Sequence, residues 1–198
     1  MSNVSAQDVA KLRQMSGAGL MDAKRALEEA GGDFEKASEL LRKKGQTTAA
    51  KKAERETMQG LVDSYIHPGG RVGVLIEVNC ETDFVARNEK FIELVRDLTL
   101  HIAAANPTYL SKDDVPEEVI AKEREILLSQ AADEGKPAEI QERMVDGRLK
   151  SFFKENCLLE QEFVKDSSKT IEEYIQEAIG VIGENIRVRR FTRYELAG

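Results

Sequence analysis

Residues 60–87 read GLVDSYIHPGGRVGVLIEVNCETDFVAR, and the fold turns on this stretch. Two β-like runs, Gly60 to Ile66 and Arg71 to Val78, flank His67-Pro68-Gly69-Gly70, a joint whose proline and paired glycines favour chain reversal. That pattern predicts a β-hairpin. Val72, Val74, Ile76 and Val78 alternate strictly and so share one face of the second run. After Asn79-Cys80-Glu81-Thr82 the period changes. From Asn88 onward, Phe91, Val95, Leu98 and Ile102 recur at helical spacing until Asn106-Pro107 stops them. Further helices are predicted over 116–133 and 137–155, split at Glu134-Gly135-Lys136-Pro137, and over Ile171 to Ile182. A last strand runs from Ile186 to Leu196, its alternation slipping at Arg189-Arg190 as at a bulge. A small antiparallel sheet with helices on one face is an α+β body.

Upstream of residue 58 the pattern is wholly helical. Ser5 and Asp8 form a capping box before Val9 and Leu12, and Gly17-Ala18-Gly19 breaks that helix. Leu20, Ala23, Leu27 and Ala30 stripe a second helix, with Asp22 in its first turn, and Gly31-Gly32 ends it. Asp33 caps a third helix carrying Phe34, Ala37, Leu40 and Leu41, with Lys43 and Lys44 near its end and Gly45 as its stop. The expected organisation is therefore a three-helix module over 1–45, a helical linker over 46–58 and the α+β body over 59–198. Such a module is too small for a catalytic cleft and binds through one face.

The chain has 198 residues, 41% hydrophobic and 33% charged, with a net charge of −7. Residues 1–58 carry 11 basic and 9 acidic side chains against 18 and 27 over 59–198, so the acidity lies in the body. A polyanion is repelled by such a surface, which argues against general nucleic-acid affinity. No apolar run nears the roughly 20 residues of a membrane span. The N-terminus lacks the basic and apolar regions of a secretory leader. Cys80 and Cys157 match no metal-ligand spacing and read as free thiols of a reducing compartment.

Catalytic patterns are missing. There is no G-x-x-x-x-G-K-[ST] loop and no G-x-G-x-x-G after a strand. His67 sits on the hairpin turn and His101 inside a helix, neither with a ligand partner nearby in sequence. Asp113-Asp114 and Glu117-Glu118 precede or open a helix, where carboxylates are favoured by the dipole. No catalytic residue, metal ligand or cofactor is assigned, and an enzyme is the weakest reading.

Two features stay open. Phe84 lies seven positions before Phe91, which favours a core residue behind a Thr82 or Asp83 cap. If the helix starts at Asn88 instead, Phe84 protrudes on a turn as an interface anchor. Arg187, Arg189, Arg190, Phe191, Arg193 and Tyr194 interleave basic and aromatic residues, as single-strand RNA binders do. A charged edge strand or a subunit contact explains them as well.

Several strings in one order resemble bacterial translation elongation factor Ts in its short form. Leu12-Arg13 with Gly17-Ala18-Gly19-Leu20-Met21-Asp22-Ala23-Lys24-Arg25-Ala26-Leu27 is similar to the family's N-terminal signature. Glu77-Val78-Asn79-Cys80-Glu81-Thr82-Asp83-Phe84-Val85-Ala86-Arg87 is similar to its central one. Gly135-Lys136-Pro137, Met144-Val145-Asp146-Gly147-Arg148 and Phe163-Val164-Lys165-Asp166 add to the match. Glu162 stands where the family commonly has proline, and Leu20 where it has methionine.

The resemblance implies a module like a ubiquitin-associated domain, followed by a core of which this chain holds one half and which therefore dimerises. It implies a cytoplasmic, non-enzymatic exchange factor for elongation factor Tu in its GDP-bound and nucleotide-free forms. Cofactor, direct nucleic-acid contact and membrane are not implied. It also implies roles for particular residues. Thr82, Asp83, Phe84 and Val85 enter the partner's nucleotide domain and disturb its magnesium ion, and Leu12, Leu20 and Met21 pack on another helix of that domain. Phe84 is then an anchor rather than core.

Overall fold

The computed structural model describes residues 4–133, 135 and 137–197. Its architecture is α+β, with an all-helical N-terminal part. Three helices come first: α1 (Ala6–Ser16), α2 (Leu20–Glu29) and α3 (Phe34–Lys52). The hairpin follows as β1 (Gln59–Ile66) and β2 (Val72–Cys80), then the single-turn α4 (Asp83–Ala86) and the long α5 (Glu89–Ala105). Next are α6 (Glu117–Asp133), α7 (Ala138–Asn156), β3 (Glu162–Phe163), β4 (Asp166–Thr170), α8 (Ile171–Ile182) and β5 (Ile186–Glu195). Of the joint predicted between α6 and α7, Glu134 and Lys136 lie outside the described residues.

The sheet order is β1-β2-β5, so the alternating strand read first in the sequence is the central one. Val74, Ile76, Val78 and Cys80 of β2 are buried, as are Ile186 and Val188 of β5. The slip at Arg189-Arg190 is visible as two successive exposed residues. A second, two-stranded sheet pairs β3 with β4 antiparallel, Glu162 opposite Thr170 and Phe163 opposite Asp166. The sequence did not predict it.

The chain folds into two compact units. The first takes residues up to Asp63 with Ile76–Asp97 and Glu173–Arg189. Its helical part forms as the caps require: Ser5 and Asp8 make a reciprocal capping box, Gly17 ends α1 with φ 66°, and the Asp33 carboxylate accepts from the N–H groups of Glu35 and Lys36. Val9, Leu12, Ala23, Ala26, Leu27 and Ala37 form the core of this part.

One expectation fails here. Gly45 does not stop α3, which continues to Lys52. The glycine serves close packing instead: a Cβ on Gly45 would lie 3.3 Å from the Gln176 carbonyl oxygen of α8, and one on Gly180 would lie 3.0 Å from the Gly45 Cα. Two glycines thus let the α3 and α8 backbones nearly touch. The boundary drawn at residue 45 accordingly falls within a helix.

The second unit takes Ser64–Leu75, Leu98–Glu172 and the chain from Arg190 onward. Leu127 and Ala131 of α6 pack with Val145 and Leu149 of α7. His101 is buried: its Nδ1 accepts from the Val164 N–H at 3.3 Å, and its Nε2 lies 2.9 Å from Gln161 Oε1. Burial holds its pKa below the ordinary imidazole value, partly opposed by the Gln161 hydrogen bond.

Candidate functional site

The turn between β2 and α5 is built by local capping. Thr82 has an extended backbone, φ −124° and ψ 154°, and its hydroxyl oxygen accepts from the Val85 N–H at 3.3 Å. Asp83 and Arg87 pair at 2.7 Å across one helical turn. Val85 is buried and pins the turn from beneath. Arg87 ends α4, and the Asn88 side chain accepts from the Lys90 N–H at 2.9 Å to begin α5.

Phe84 stands 78% exposed on top of this turn, whereas Phe91 is fully buried. The core reading of Phe84 is therefore wrong, for a definite reason. Seven-residue spacing places two rings on one face only if the helix is continuous, and the break at Arg87-Asn88 resets the phase.

The base of the turn is tied to the connection between α8 and β5. Glu184 Oε2 accepts from the N–H groups of Glu81 and Thr82 at 3.1 and 3.0 Å, and its Oε1 accepts from the Thr82 hydroxyl at 2.7 Å. In return, Glu81 Oε1 accepts from the Asn185 N–H at 2.6 Å. Cys80 lies below, its thiol donating to the Thr82 carbonyl at 3.2 Å. Burial, with the Glu184 carboxylate nearby, raises its pKa to about 11, so it stays protonated.

In the helical part, Leu20 and Met21 at the start of α2 are 54% and 60% exposed, and Met15 is exposed as well. Leu12 is fully buried among Val9, Ala23 and Leu27, so its side chain shapes the module from within. Asp22, next to Met21, bonds Lys44 and Arg25, which together hold its pKa low. Both groups of predicted residues belong to the first unit. Within it the helical part is tied down by Lys90 Nζ to the Gly17 carbonyl at 2.9 Å and by Lys52 Nζ to the Gly183 carbonyl.

No group of His, Cys, Asp and Glu among the described residues is arranged to hold a metal ion. His67 lies 3.0 Å from the Tyr65 hydroxyl on the hairpin turn. Of the arginines on β5, Arg193 is committed to the Ala103 carbonyl at 3.3 Å and to Glu195 at 2.7 Å.

A sequence model of the family described as Elongation factor TS matches residues 5–196. The chain belongs to the elongation factor Ts family. Elongation factor Ts of Caldanaerobacter subterraneus subsp. tengcongensis is 58% identical over 97% of this chain and 96% of its own. The Carboxydothermus hydrogenoformans protein is also 58% identical, over 98% of this chain and 89% of its own, and that of Moorella thermoacetica 57%, over 98% and 95%. The chain thus falls among translation elongation factors along nearly its whole length.

The elongation factor Ts strings land on structurally distinct places. The N-terminal one spans the α1–α2 joint, the central one the end of β2 with the whole Thr82–Phe84 turn, and Phe163-Val164-Lys165-Asp166 the β3–β4 connection. Glu162 lies extended in β3 and exposed. Of Gly135-Lys136-Pro137, Lys136 lies outside the described residues. Glu184 was missed because nothing near it in sequence announces a partner 102 residues upstream. Among the described residues no helix is long and apolar enough to cross a membrane.

Proposed function

We propose that the chain is the guanine-nucleotide exchange factor for elongation factor Tu, binding its GDP form, disturbing its magnesium site and releasing GDP so that GTP can bind. The observation that carries this reading is Phe84: a large apolar ring, exposed on a capped turn, with an acid beside it. Exposed aromatics on rigid supports are what interface anchors look like. Thr82, Asp83, Phe84 and Val85 act as one unit, Thr82 and Val85 shaping the turn that Phe84 and Asp83 present.

Exchange needs no catalytic residue, only linkage. A factor that weakens nucleotide binding is itself bound more weakly when nucleotide is present. A thousandfold effect requires about 4 kcal/mol at 1.4 kcal/mol per decade. Burying one phenylalanine ring contributes about 1.5–3 kcal/mol, so a second contribution is needed. Loss of the magnesium ion and the N-terminal helical part supply it, the latter through exposed Leu20 and Met21 on a scaffold packed around Leu12. We assign the factor to the cytoplasm, as a homodimer. Ile66, Leu75, Tyr194 and Leu196 are exposed apolar residues lining an open groove of about 580 Å³ in the second unit, a surface suited to a second copy.

The test is release of labelled GDP from elongation factor Tu with the chain added. Acceleration supports the reading, and a rate equal to spontaneous release refutes it. RNA binding by the arginines of β5 is the weaker alternative, since Arg193 already has two partners.

A further inference from the structure

Phe84 is exposed, so the backbone that carries it sets the site and direction of its Cα–Cβ bond. That backbone is held by a carboxylate from another part of the chain. Glu184 sits in the connection Gly183-Glu184-Asn185 between α8 and β5 and uses both oxygens on the two residues preceding α4. The consequence for Thr82 follows from its chemistry. A hydroxyl has one proton, and here it is given to Glu184 Oε1 at 2.7 Å, so towards Val85 N–H the oxygen serves purely as acceptor. Glu184 thereby orients the cap that forms α4.

The connection bearing Glu184 is anchored in turn. Asn185 is buried; its N–H donates to Glu81 Oε1 at 2.6 Å, and its Nδ2 donates to the carbonyls of Ala53 at 3.4 Å and Arg55 at 2.8 Å. Lys52 Nζ donates to the Gly183 carbonyl. Glu81 and Glu184 therefore form a reciprocal clasp, each carboxylate receiving a backbone N–H from the other's segment. Hydrogen bonds to an ionised acceptor are roughly twice as strong as neutral ones.

We propose that Glu184 is a positioning residue for nucleotide exchange, its carboxylate fixing the Thr82 cap and so pre-orienting Phe84 for insertion into the partner GTPase. The proposal rests on the exchange reading above. A mobile turn would have to be ordered at the moment of docking, and that ordering subtracts from binding. With the clasp in place the ordering is done during folding, and the ring's burial is available for exchange.

The experiment uses the full chain with Glu184→Gln, which keeps the side chain's size while removing its charge and one acceptor oxygen. Three quantities are read: amide hydrogen exchange over residues 81–85 in the free factor, the melting midpoint, and the saturating rate of GDP release. Release is measured in both the Phe84 and Phe84→Ala backgrounds. The expected result is lost protection at Thr82 and Val85, a midpoint close to that of the unaltered chain, and release slowed about tenfold, equivalent to 1.4 kcal/mol. The slowing should vanish in the Phe84→Ala background, because two residues acting through one contact are not additive. Unchanged amide protection, or equal slowing in both backgrounds, overturns the proposal. Thr82→Val, which removes only the hydroxyl arm, gives an independent check should Glu184→Gln fold poorly. It should slow release less and again only with Phe84 present, and additive slowing overturns the proposal. Release that is accelerated by the chain but indifferent to Glu184 sinks this proposal alone, whereas no acceleration by the unaltered chain sinks the exchange reading beneath it.

Discussion

Truncating Phe84 to alanine separates an anchor from a core residue, because the two predict opposite partitions of the lost free energy. A phenylalanine in a packed site costs about 3–5 kcal/mol when cut to alanine. Here the residue is 78% exposed, leaving only about a fifth of it covered. A fifth of the roughly 1.5–3 kcal/mol that full burial of the ring contributes is at most about 0.6 kcal/mol. Alanine's higher helix propensity in α4 returns part of this. The melting midpoint should therefore fall by no more than about 2–4 °C, the shift expected per kcal/mol for a chain of this size. The complex, by contrast, loses the burial of the exposed remainder, about 1.5–3 kcal/mol, which is a ten- to hundredfold slowing of GDP release. Calorimetry on the free factor and stopped-flow release from elongation factor Tu measure the two halves. A midpoint drop beyond about 6 °C, or release at the unaltered rate, would refute the anchor argument.

Other substitutions probe the framework. Gly180→Ala should lower the melting midpoint, since its Cβ would come within 3.0 Å of the Gly45 Cα, and overpacking of about 1–3 kcal/mol exceeds the helix propensity gained; a raised midpoint would refute the close crossing. His101, with its pKa lowered by burial, binds its proton at higher pH when unfolded, so stability should be full above the ordinary value of 6.5 and decline as pH falls through the folded value. Denaturant midpoints from neutral to mildly acidic pH should show this slope reduced in His101→Gln, and an unchanged slope would refute it. Light scattering should find the unaltered chain as the proposed homodimer and Leu75→Glu as a folded monomer; a monomeric unaltered chain would refute the homodimer, and a persisting dimer in the variant would exclude that sheet face as the interface.

What the sequence disclosed and what it hid divide by range. The caps at Ser5 and Asp33 and the alternation of Val72 to Val78 were readable because each cue and its consequence lie within a few residues. Gly45 was misread because a glycine late in a helix signals a stop locally, while its actual use, contact with Gly180, is set by a distant segment. Spacing favoured a buried Phe84 because periodicity carries no mark of the break at Arg87-Asn88; a helix starting at Asn88 left the exposed turn open as the alternative, and the family string favoured it. The β3–β4 pair escaped because Asp166-Ser167-Ser168-Lys169-Thr170 has no apolar alternation to find. Glu184 could not be found at all from its neighbours, since its partners lie across 102 residues of chain.

The two cysteines give the molecule a pair of internal gauges. Cys80 lies in the first unit and Cys157 in the second, both unpaired, both without exposed surface, and both raised to about 11 chiefly by burial. A thiol modifies as its thiolate, so neither reacts at neutral pH until its own surroundings open. The rate at which each is labelled by a thiol reagent in native buffer therefore reports the opening free energy of its unit separately. Binding of a partner to the Thr82–Phe84 turn, which the Cys80 thiol touches through the Thr82 carbonyl, would register as slower labelling of that one cysteine with the other as an internal standard.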